Sequence, residues 1–114
     1  MMESLNRANS LFVQDQFSSA IPLYQEALAD ASCSLEAQIG LSSSYLKLGE
    51  LHNAEISATR AIEIDPSSSL AHFRKGQALF YQMKFQESLI EFESSGNLGN
   101  NWVEKCKTEL HRNA

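Results

Sequence analysis

The chain has 114 residues, of which 43% are hydrophobic and 20% charged, and its formal net charge is −5. This composition is ordinary for a globular protein with one core, and the acidic balance argues against nucleic acid or an anionic membrane as partner, since both require a basic surface. No apolar run approaches the roughly 18 residues of a membrane-spanning helix, and Met1–Leu5 has neither the basic nor the apolar region of a signal peptide.

The first 34 residues predict two helices joined by a short turn. Apolar spacing predicts a helix near Glu3–Gln14, a turn at Asp15-Gln16 and a second helix over Phe17–Asp30. Pro22 falls early in that second helix, where a proline costs least. Cys33 follows in a turn-like segment, and we expect this thiol to be free and exposed.

The next 34 residues repeat the pattern with clearer boundaries. A helix is predicted over Leu35–Leu48, with Gly49 as a left-handed C-cap. The helix after it is predicted over Leu51–Ile64 and is closed by Asp65-Pro66.

A third helix pair follows. One of the three serines at 67–69 is expected to cap a helix over Leu70–Gln82. A helix over Phe85–Ser94 comes next, and the glycine-rich segment Gly96–Asn101 breaks the pattern.

The last segment, Trp102–Asn113, predicts a seventh helix with one apolar stripe. Cys106 belongs to that stripe, and we expect it to be a buried, free thiol. The other face is charged, as the terminal helix of a stacked repeat array requires. Lys105 and Lys107 on this face are expected to be solvated rather than to form a basic site.

Residues of the same size class recur at intervals of 34, with Ala58 as the one exception. Small residues at two positions of each pair allow its helices to approach closely, and large apolar residues one turn away fill the adjacent space. The columns are Ala8, Ser42 and Gly76; Leu11, Tyr45 and Leu79; Phe17, Leu51 and Phe85; Ala20, Ala54 and Ser88; Tyr24, Ala58 and Phe92; Ala27, Ala61 and Ser95; and Ser32, Pro66 and Asn100.

These columns resemble the tetratricopeptide repeat, whose pattern has small residues at positions 8, 20 and 27, an aromatic residue at 24 and proline at 32. The resemblance implies an all-α fold: a right-handed superhelical solenoid of three helical hairpins plus a C-terminal capping helix, seven helices in all. One domain over 1–114 is expected, with repeats at about 1–34, 35–68 and 69–100 and the capping helix at about 101–113. The tryptophan that often stands at position 4 is absent, since Ser4, Gln38 and His72 occupy it.

Two segments suggest a narrower resemblance. The stretch LAHFRKGQAL at 70–79 looks like the third repeat of chaperone-associated proteins, and WVEKC at 102–106 is similar to the end of the repeat domain in the SGT-one (suppressor of the G-two allele of Skp-one) co-chaperone family. That resemblance implies a non-enzymatic scaffold for protein–protein interaction that binds the Skp-one subunit of ubiquitin ligases or associates with itself. The cytoplasm is the expected location, with the nucleus as an alternative.

The first helices of the hairpins should line a concave groove in such an array, at positions 2, 5, 9, 12 and 13 of each repeat. We expect a partner to contact Leu5, Asn9, Phe12, Ile39, Ser43, Lys47, Leu70, Phe73, Arg74, Gln77 and Tyr81. The other members of this face are Met2, Val13, Glu36, Leu46 and Phe80. The face is broadly apolar, so packing between helices is an alternative role for its apolar members.

Many family members bind the acidic C-terminal tail of heat-shock chaperones through a clamp of Lys, Asn, Asn, Lys and Arg. Carried over position by position, these residues are Leu5, Asn9, Gly40, Leu70 and Arg74 here, so only Asn9 and Arg74 match. Two donors out of five are poor compensation for desolvating a carboxylate. We therefore expect weak or no binding of such tails. In the SGT-one family, a separate CS domain contacts heat-shock protein 90.

No catalytic or metal-binding arrangement is evident. His52, His72 and His111 lie in different elements without the spacing of metal ligands, and no glycine-rich phosphate loop occurs. We expect no cofactor and no enzymatic activity. Two alternatives to the scaffold remain open: an adaptor for chaperone tails through a degenerate clamp, and the targeting domain of a larger enzyme.

Overall fold

The computed structural model describes residues 2–112, and in this range every regular element is helical. The seven helices confirm the predicted all-α architecture. They are α1 (Met2–Val13), α2 (Phe17–Ala27), α3 (Ser34–Lys47), α4 (Leu51–Ile64), α5 (Ser69–Tyr81), α6 (Phe85–Ser94) and α7 (Asn100–Arg112). Short 3-10 segments, Ala31–Cys33 and Gly96–Gly99, precede α3 and α7.

The helices stack in the order of the chain. α1–α2, α3–α4 and α5–α6 form three hairpins, each hairpin packs against the next, and α7 packs on α6. The resulting body measures 48 × 26 × 20 Å. Such elongation is typical of an array in which each unit contacts only its neighbours.

Each hairpin turn contains one residue in the left-handed region, and these three residues are spaced by 34. They are Asp15 (φ 61°), Gly49 (φ 77°) and Met83 (φ 65°). The predicted C-cap at Gly49 is thereby confirmed. In every turn the following amide donates to a carbonyl five residues earlier, which satisfies an otherwise unpaired helix end. The three bonds are Gln16 to Leu11 (2.9 Å), Glu50 to Tyr45 (2.9 Å) and Lys84 to Leu79 (3.0 Å).

The small-residue columns lie where the two helices of a hairpin cross. Ala8 and Ala20 are fully buried at this contact in the first hairpin. In the second hairpin the Ser42 hydroxyl donates to the carbonyl of Ala54 on α4 (2.8 Å). In the third the direction is reversed, since the Ser88 hydroxyl on α6 donates to the carbonyl of residue 76 on α5 (2.8 Å). The buried hydroxyls of Ser42 and Ser88 therefore both have a partner across their hairpin.

Two expectations about the first hairpin are wrong. α2 ends at Ala27 rather than at Asp30, because the Asp30 carboxylate accepts from the Ser32 amide (2.9 Å) and caps a separate 3-10 turn. Cys33 at the end of this turn is buried, not exposed, and belongs to the core around α1–α3. The helix continues through Pro22.

The third hairpin is tied to the preceding loop by His72. Its Nδ1 lies 2.7 Å from a carboxylate oxygen of Glu91 on α6, and its Nε2 lies 2.8 Å from the carbonyl of Pro66. The serine that caps α5 is Ser68, whose hydroxyl accepts from the Ala71 amide (3.2 Å). His72 therefore joins α5, α6 and the α4–α5 loop.

α7 packs against the array through Trp102. The indole stacks on Phe92 (centroids 5.2 Å apart) and meets Phe80 edge to face (5.2 Å). Cys106 on the same stripe is buried, and its thiol donates to the Ser88 hydroxyl (3.4 Å). The predicted apolar stripe of the last helix is thus the face that closes the core.

Candidate partner-binding groove

Two cavities lie along the face formed by α1, α3 and α5. The large cavity has a volume of about 720 Å³, in the range typical of small-ligand sites. It is lined by Phe12, Ser43, Leu46, Lys47, Gly49, Leu51, Arg74, Gln77 and Tyr81. The small cavity, of about 230 Å³, is lined by Asn9, Phe12, Tyr24, Glu36, Ile39, Gly40, Ser43 and Leu70.

Most of the residues expected to contact a partner line one of these cavities. The large cavity contains Phe12, Ser43, Lys47, Arg74, Gln77 and Tyr81 from the expected set. The small cavity contains Asn9, Ile39 and Leu70, and shares Phe12 and Ser43. Contact with a partner remains a prediction for all of them.

The side chain of Leu5 is not accessible to a ligand, contrary to the expectation that it contacts a partner. Its side chain is 2% exposed and belongs to the core formed by α1, α2 and α3. Positions 5 and 8 lie on neighbouring parts of one helix face, so the close packing at Ala8 also covers Leu5. A residue this buried stabilises the first hairpin and cannot bind a partner without unfolding.

Phe73 is half-buried and lines neither cavity. Its ring meets the rings of Phe92 (5.7 Å) and Trp102 (6.3 Å) edge to face. Phe73 therefore packs α5 against α6 and α7, which is the structural alternative considered for apolar members of this face.

Sequence reasoning missed Tyr24, Gly49 and Leu51. Gly49 and Leu51 belong to the turn and to the second helix of the hairpin, and Tyr24 belongs to α2. The expectation counted positions on first helices only, so it could not include them. The aromatic column at Tyr24 was a usable signal, since it marks a ring that packs toward the next hairpin.

Arg74 is a largely buried cation in the wall of the large cavity. Its guanidinium donates to the side-chain oxygen of Gln77 (2.9 Å) and lies 5.5 Å from the centroid of the Phe73 ring. Its Nε is buried without a hydrogen-bond partner. Burial lowers the pKa of the Arg74 guanidinium, and within residues 2–112 no carboxylate lies within ion-pairing distance of it.

Lys47 is the second cation of the large cavity. It stands in the last turn of α3 and is exposed. None of the described residues in this lining is acidic. The cavity thus combines two positive charges with apolar side chains and with the polar Ser43 and Gln77, in a chain whose net charge is negative.

The small cavity has the opposite character. Of the lining residues within the described range 2–112, only Glu36 is charged. The Tyr24 hydroxyl donates to the side-chain oxygen of Asn9 (2.6 Å). Burial, reinforced by the negative charge of Glu36, raises the pKa of Tyr24. The negative charge of Glu36 therefore acts on the Tyr24 hydroxyl that is bonded to Asn9.

The positions of the carboxylate clamp overlap the small cavity. Asn9, Gly40 and Leu70 line it, but Gly40 has no side chain and Leu70 has no donor. Arg74 lies in the other cavity. The surroundings of the clamp positions therefore lack the converging donors that a carboxylate needs.

The part of the chain that the structure describes contains no group of three or more His, Cys, Asp or Glu side chains that could hold a metal ion. None of the helices between residues 2 and 112 is long and apolar enough to cross a membrane.

Comparison with known proteins identifies a repeat family and relatives of this chain. Residues 5–69 match the family model described as tetratricopeptide repeat. Protein SGT1 homolog of Oryza sativa subsp. japonica is 32% identical over 88 residues, which are 77% of this chain and 24% of that protein. Hsp70-Hsp90 organizing protein 3 of Arabidopsis thaliana is 25% identical over 91 residues, 80% of this chain and 16% of that protein. The chain thus spans a quarter or less of these relatives.

Solved structures share the whole fold. The second TPR domain of human RPAP3, in complex with the HSP70 peptide SGPTIEEVD, superposes with a TM-score of 0.86 at 25% identity and covers 93% of both chains. The first TPR domain of the same human protein superposes with a TM-score of 0.90 at 21% identity, covering 97% of this chain and 94% of that one. The second similarity concerns the fold alone.

Proposed function

Since the chain belongs to the tetratricopeptide repeat family, we propose that it is a non-enzymatic interaction domain whose large cavity holds a segment of a partner protein. The observation that carries this proposal is Arg74, which has no carboxylate partner within residues 2–112 and lines the same cavity as Lys47, while the other lining residues are uncharged. A buried cation without a counter-charge is costly. A partner that supplies an anionic or hydrogen-bonding group and an apolar side chain would offset this cost.

A pair of substitutions with equal exposure tests whether this face binds. Tyr81 lines the large cavity and is 55% exposed, and Ile90 on α6 is also 55% exposed but lines neither cavity. Tyr81→Ala should weaken partner capture at least about fivefold, the loss expected from truncating an aromatic anchor. Ile90→Ala should leave capture unchanged. Equal capture by both variants would remove the support for the groove.

For the partner itself, we propose a Skp-one-type ubiquitin-ligase subunit or a second copy of the chain, acting in the cytoplasm or the nucleus. The support is the 32% identity with Protein SGT1 homolog and the resemblance of 102–106 to that family. Pull-down with purified Skp-one and light scattering across a concentration series test the two options. A chain that stays monomeric and does not capture Skp-one would contradict both.

The tail of a heat-shock chaperone is the second candidate. The RPAP3 domain bound to SGPTIEEVD is 25% identical to this chain, and Asn9 and Arg74 match two of the five clamp positions of the family pattern. The burial of Leu5, the absence of a side chain at Gly40 and the apolar Leu70 oppose it. Calorimetric titration with SGPTIEEVD should therefore give a Kd weaker than about 0.1 mM. A micromolar Kd would overturn this expectation.

A further inference from the structure

The two cavities form adjacent parts of one groove and carry opposite charges. Among the described lining residues, the charged ones are Lys47 and Arg74 in the large cavity and Glu36 in the small cavity. Phe12 and Ser43 line both cavities, so the two are adjacent. An anionic ligand lying in this groove would be attracted at one end and repelled at the other.

The free end of a peptide chain would find no cation among the described residues that line the small cavity. The Tyr24 hydroxyl already donates to the side-chain oxygen of Asn9, so this donor is not available to a ligand. The ring of Tyr24 fills the space beside Gly40, where a built Cβ would lie 2.4 Å from ring carbons. Glu36 adds a like charge, and an uncompensated carboxylate pays its full desolvation cost.

The large cavity, in contrast, has donors and an apolar wall together. The Arg74 guanidinium is held by Gln77 and by the Phe73 ring, so its direction is fixed. Leu46, Leu51 and Tyr81 belong to the same lining. Fixed donors beside an apolar surface suit an acidic side chain that is followed or preceded by an apolar one.

We propose that the large cavity recognises an acidic side chain within a partner segment, next to an apolar side chain, and that the free carboxylate at a chain end contributes nothing to binding. This inference rests on the proposed function, because it assigns the partner chemistry of the same groove. It predicts an internal motif rather than a C-terminal one.

Three forms of one peptide test the inference by fluorescence anisotropy. The probes are SGPTIEEVD with a free C-terminal carboxylate, the same peptide as its C-terminal amide, and the amide in which both glutamates are replaced by glutamine. Acid and amide should bind within about twofold of each other, and the glutamine form should bind at least about fivefold more weakly. A tenfold loss on amidation would overturn the inference.

Substitutions in the chain locate the charge that matters. Lys47→Gln and Arg74→Met should each weaken binding of acid and amide alike, by about threefold or more. Arg60→Gln is the matched control, because Arg60 is exposed on α4 and lines neither cavity. Arg74→Met removes the charge but keeps an unbranched side chain that packs like the aliphatic part of arginine, and circular dichroism checks that each variant is folded.

Glu36→Gln separates the two ends of the groove. Removing this charge should raise the affinity of the acid relative to the amide by about threefold, since the acid carries a C-terminal carboxylate in addition to the side-chain carboxylates that both peptides share. The inference is contradicted if Lys47→Gln and Arg74→Met are both without effect, or if neither peptide binds at millimolar concentration. If a partner is nevertheless captured and this capture depends on Tyr81, the proposed function is still supported. If neither peptide binding nor Tyr81-dependent capture is observed, the proposed function is contradicted as well.

Discussion

The ring of Tyr24 occupies the space into which any side chain on Gly40 would project. Two of its ring carbons lie 2.4 Å from the position of a Cβ built on residue 40. The ring cannot easily move away, because Tyr24 is 2% exposed and its hydroxyl is bonded to Asn9. The two residues are therefore complementary, and a donor cannot be restored at position 40 by itself.

Gly40→Asn, which reinstates the amide of the carboxylate clamp, should destabilise the chain without restoring tail binding. We expect a loss of about 2 kcal/mol in the free energy of unfolding, a usual cost of overpacking a core. Urea denaturation measures it. The double variant Gly40→Asn, Tyr24→Leu should recover part of the loss, because the two sites are in contact and their effects are not additive. Additive losses would contradict the steric explanation.

Met83→Gly should stabilise the chain. Met83 has φ 65° and is 72% exposed, so glycine relieves a left-handed conformation while little packing is lost. The expected gain is about 0.5 kcal/mol, since part of the relief is offset by the greater freedom of glycine in the unfolded chain.

Gly49→Ala, the reverse kind of substitution at the equivalent turn position, is the control for Met83→Gly. A Cβ on Gly49 would meet nothing within 4 Å, so Gly49→Ala tests conformation alone and should cost about 1 kcal/mol. Thermal or urea unfolding of both variants checks the pair. A lower free energy of unfolding in the Met83→Gly variant would show that the methionine side chain stabilises the fold by packing, in spite of its exposure.

His72 should make stability depend on pH. Burial alone would lower its pKa, but the hydrogen bonds to Glu91 and Pro66 outweigh burial and raise it. The ring has acceptors at both nitrogens, so the protonated form fits best. Its contribution is complete below the pKa of an unfolded histidine, about 6.5, and is lost as the pH rises through the higher folded value.

The free energy of unfolding should therefore fall as the pH rises above about 6.5, and this fall should be smaller in His72→Gln. Glu91→Gln should reduce it as well, because it removes the carboxylate that stabilises the charged ring. Urea denaturation at several pH values gives both slopes. A Glu91→Gln variant with the wild-type slope would exclude this pair as the cause.

Trp102→Ala should detach α7 from the array. The indole contacts Phe92, Phe80 and Tyr81, with centroid distances of 5.2, 5.2 and 5.9 Å. Loss of such a ring costs about 3 kcal/mol, and Trp102→Phe should cost less. Amide hydrogen exchange should show faster exchange in α7 than in α3. Uniform exchange in all helices would indicate instead that the array unfolds as one unit.

The fold was predictable because its signals are local. α4 and α6 begin and end at the predicted residues, since Gly49, Pro66 and Gly96 mark their limits. The end of α2 was not predictable from apolar spacing, because the carboxylate of Asp30 competes with the helix for the following amides. That competition depends on a side-chain conformation rather than on a pattern.

The groove was predictable as a face, but its chemistry was not. Counting positions identified Lys47 and Arg74 correctly as lining residues. It failed for Leu5, whose burial depends on how α2 and α3 close over α1. The bond from Tyr24 to Asn9 joins residues 15 positions apart on different helices, and no local pattern encodes it.

The serine contacts of the second and third hairpins have a consequence for how such repeats diverge. Ser42 and Ser88 form equivalent hydroxyl-to-carbonyl bonds from opposite helices. Compared column by column, Ser42 stands against Gly76 and Ala54 against Ser88, so the two hairpins differ at both positions. Compared as pairs, they are the same contact with donor and acceptor helix exchanged. The bond can therefore start from either helix of a hairpin, and the first hairpin, with Ala8 and Ala20 at these positions, packs without it. Substitutions that move the hydroxyl to the facing helix should accordingly be tolerated.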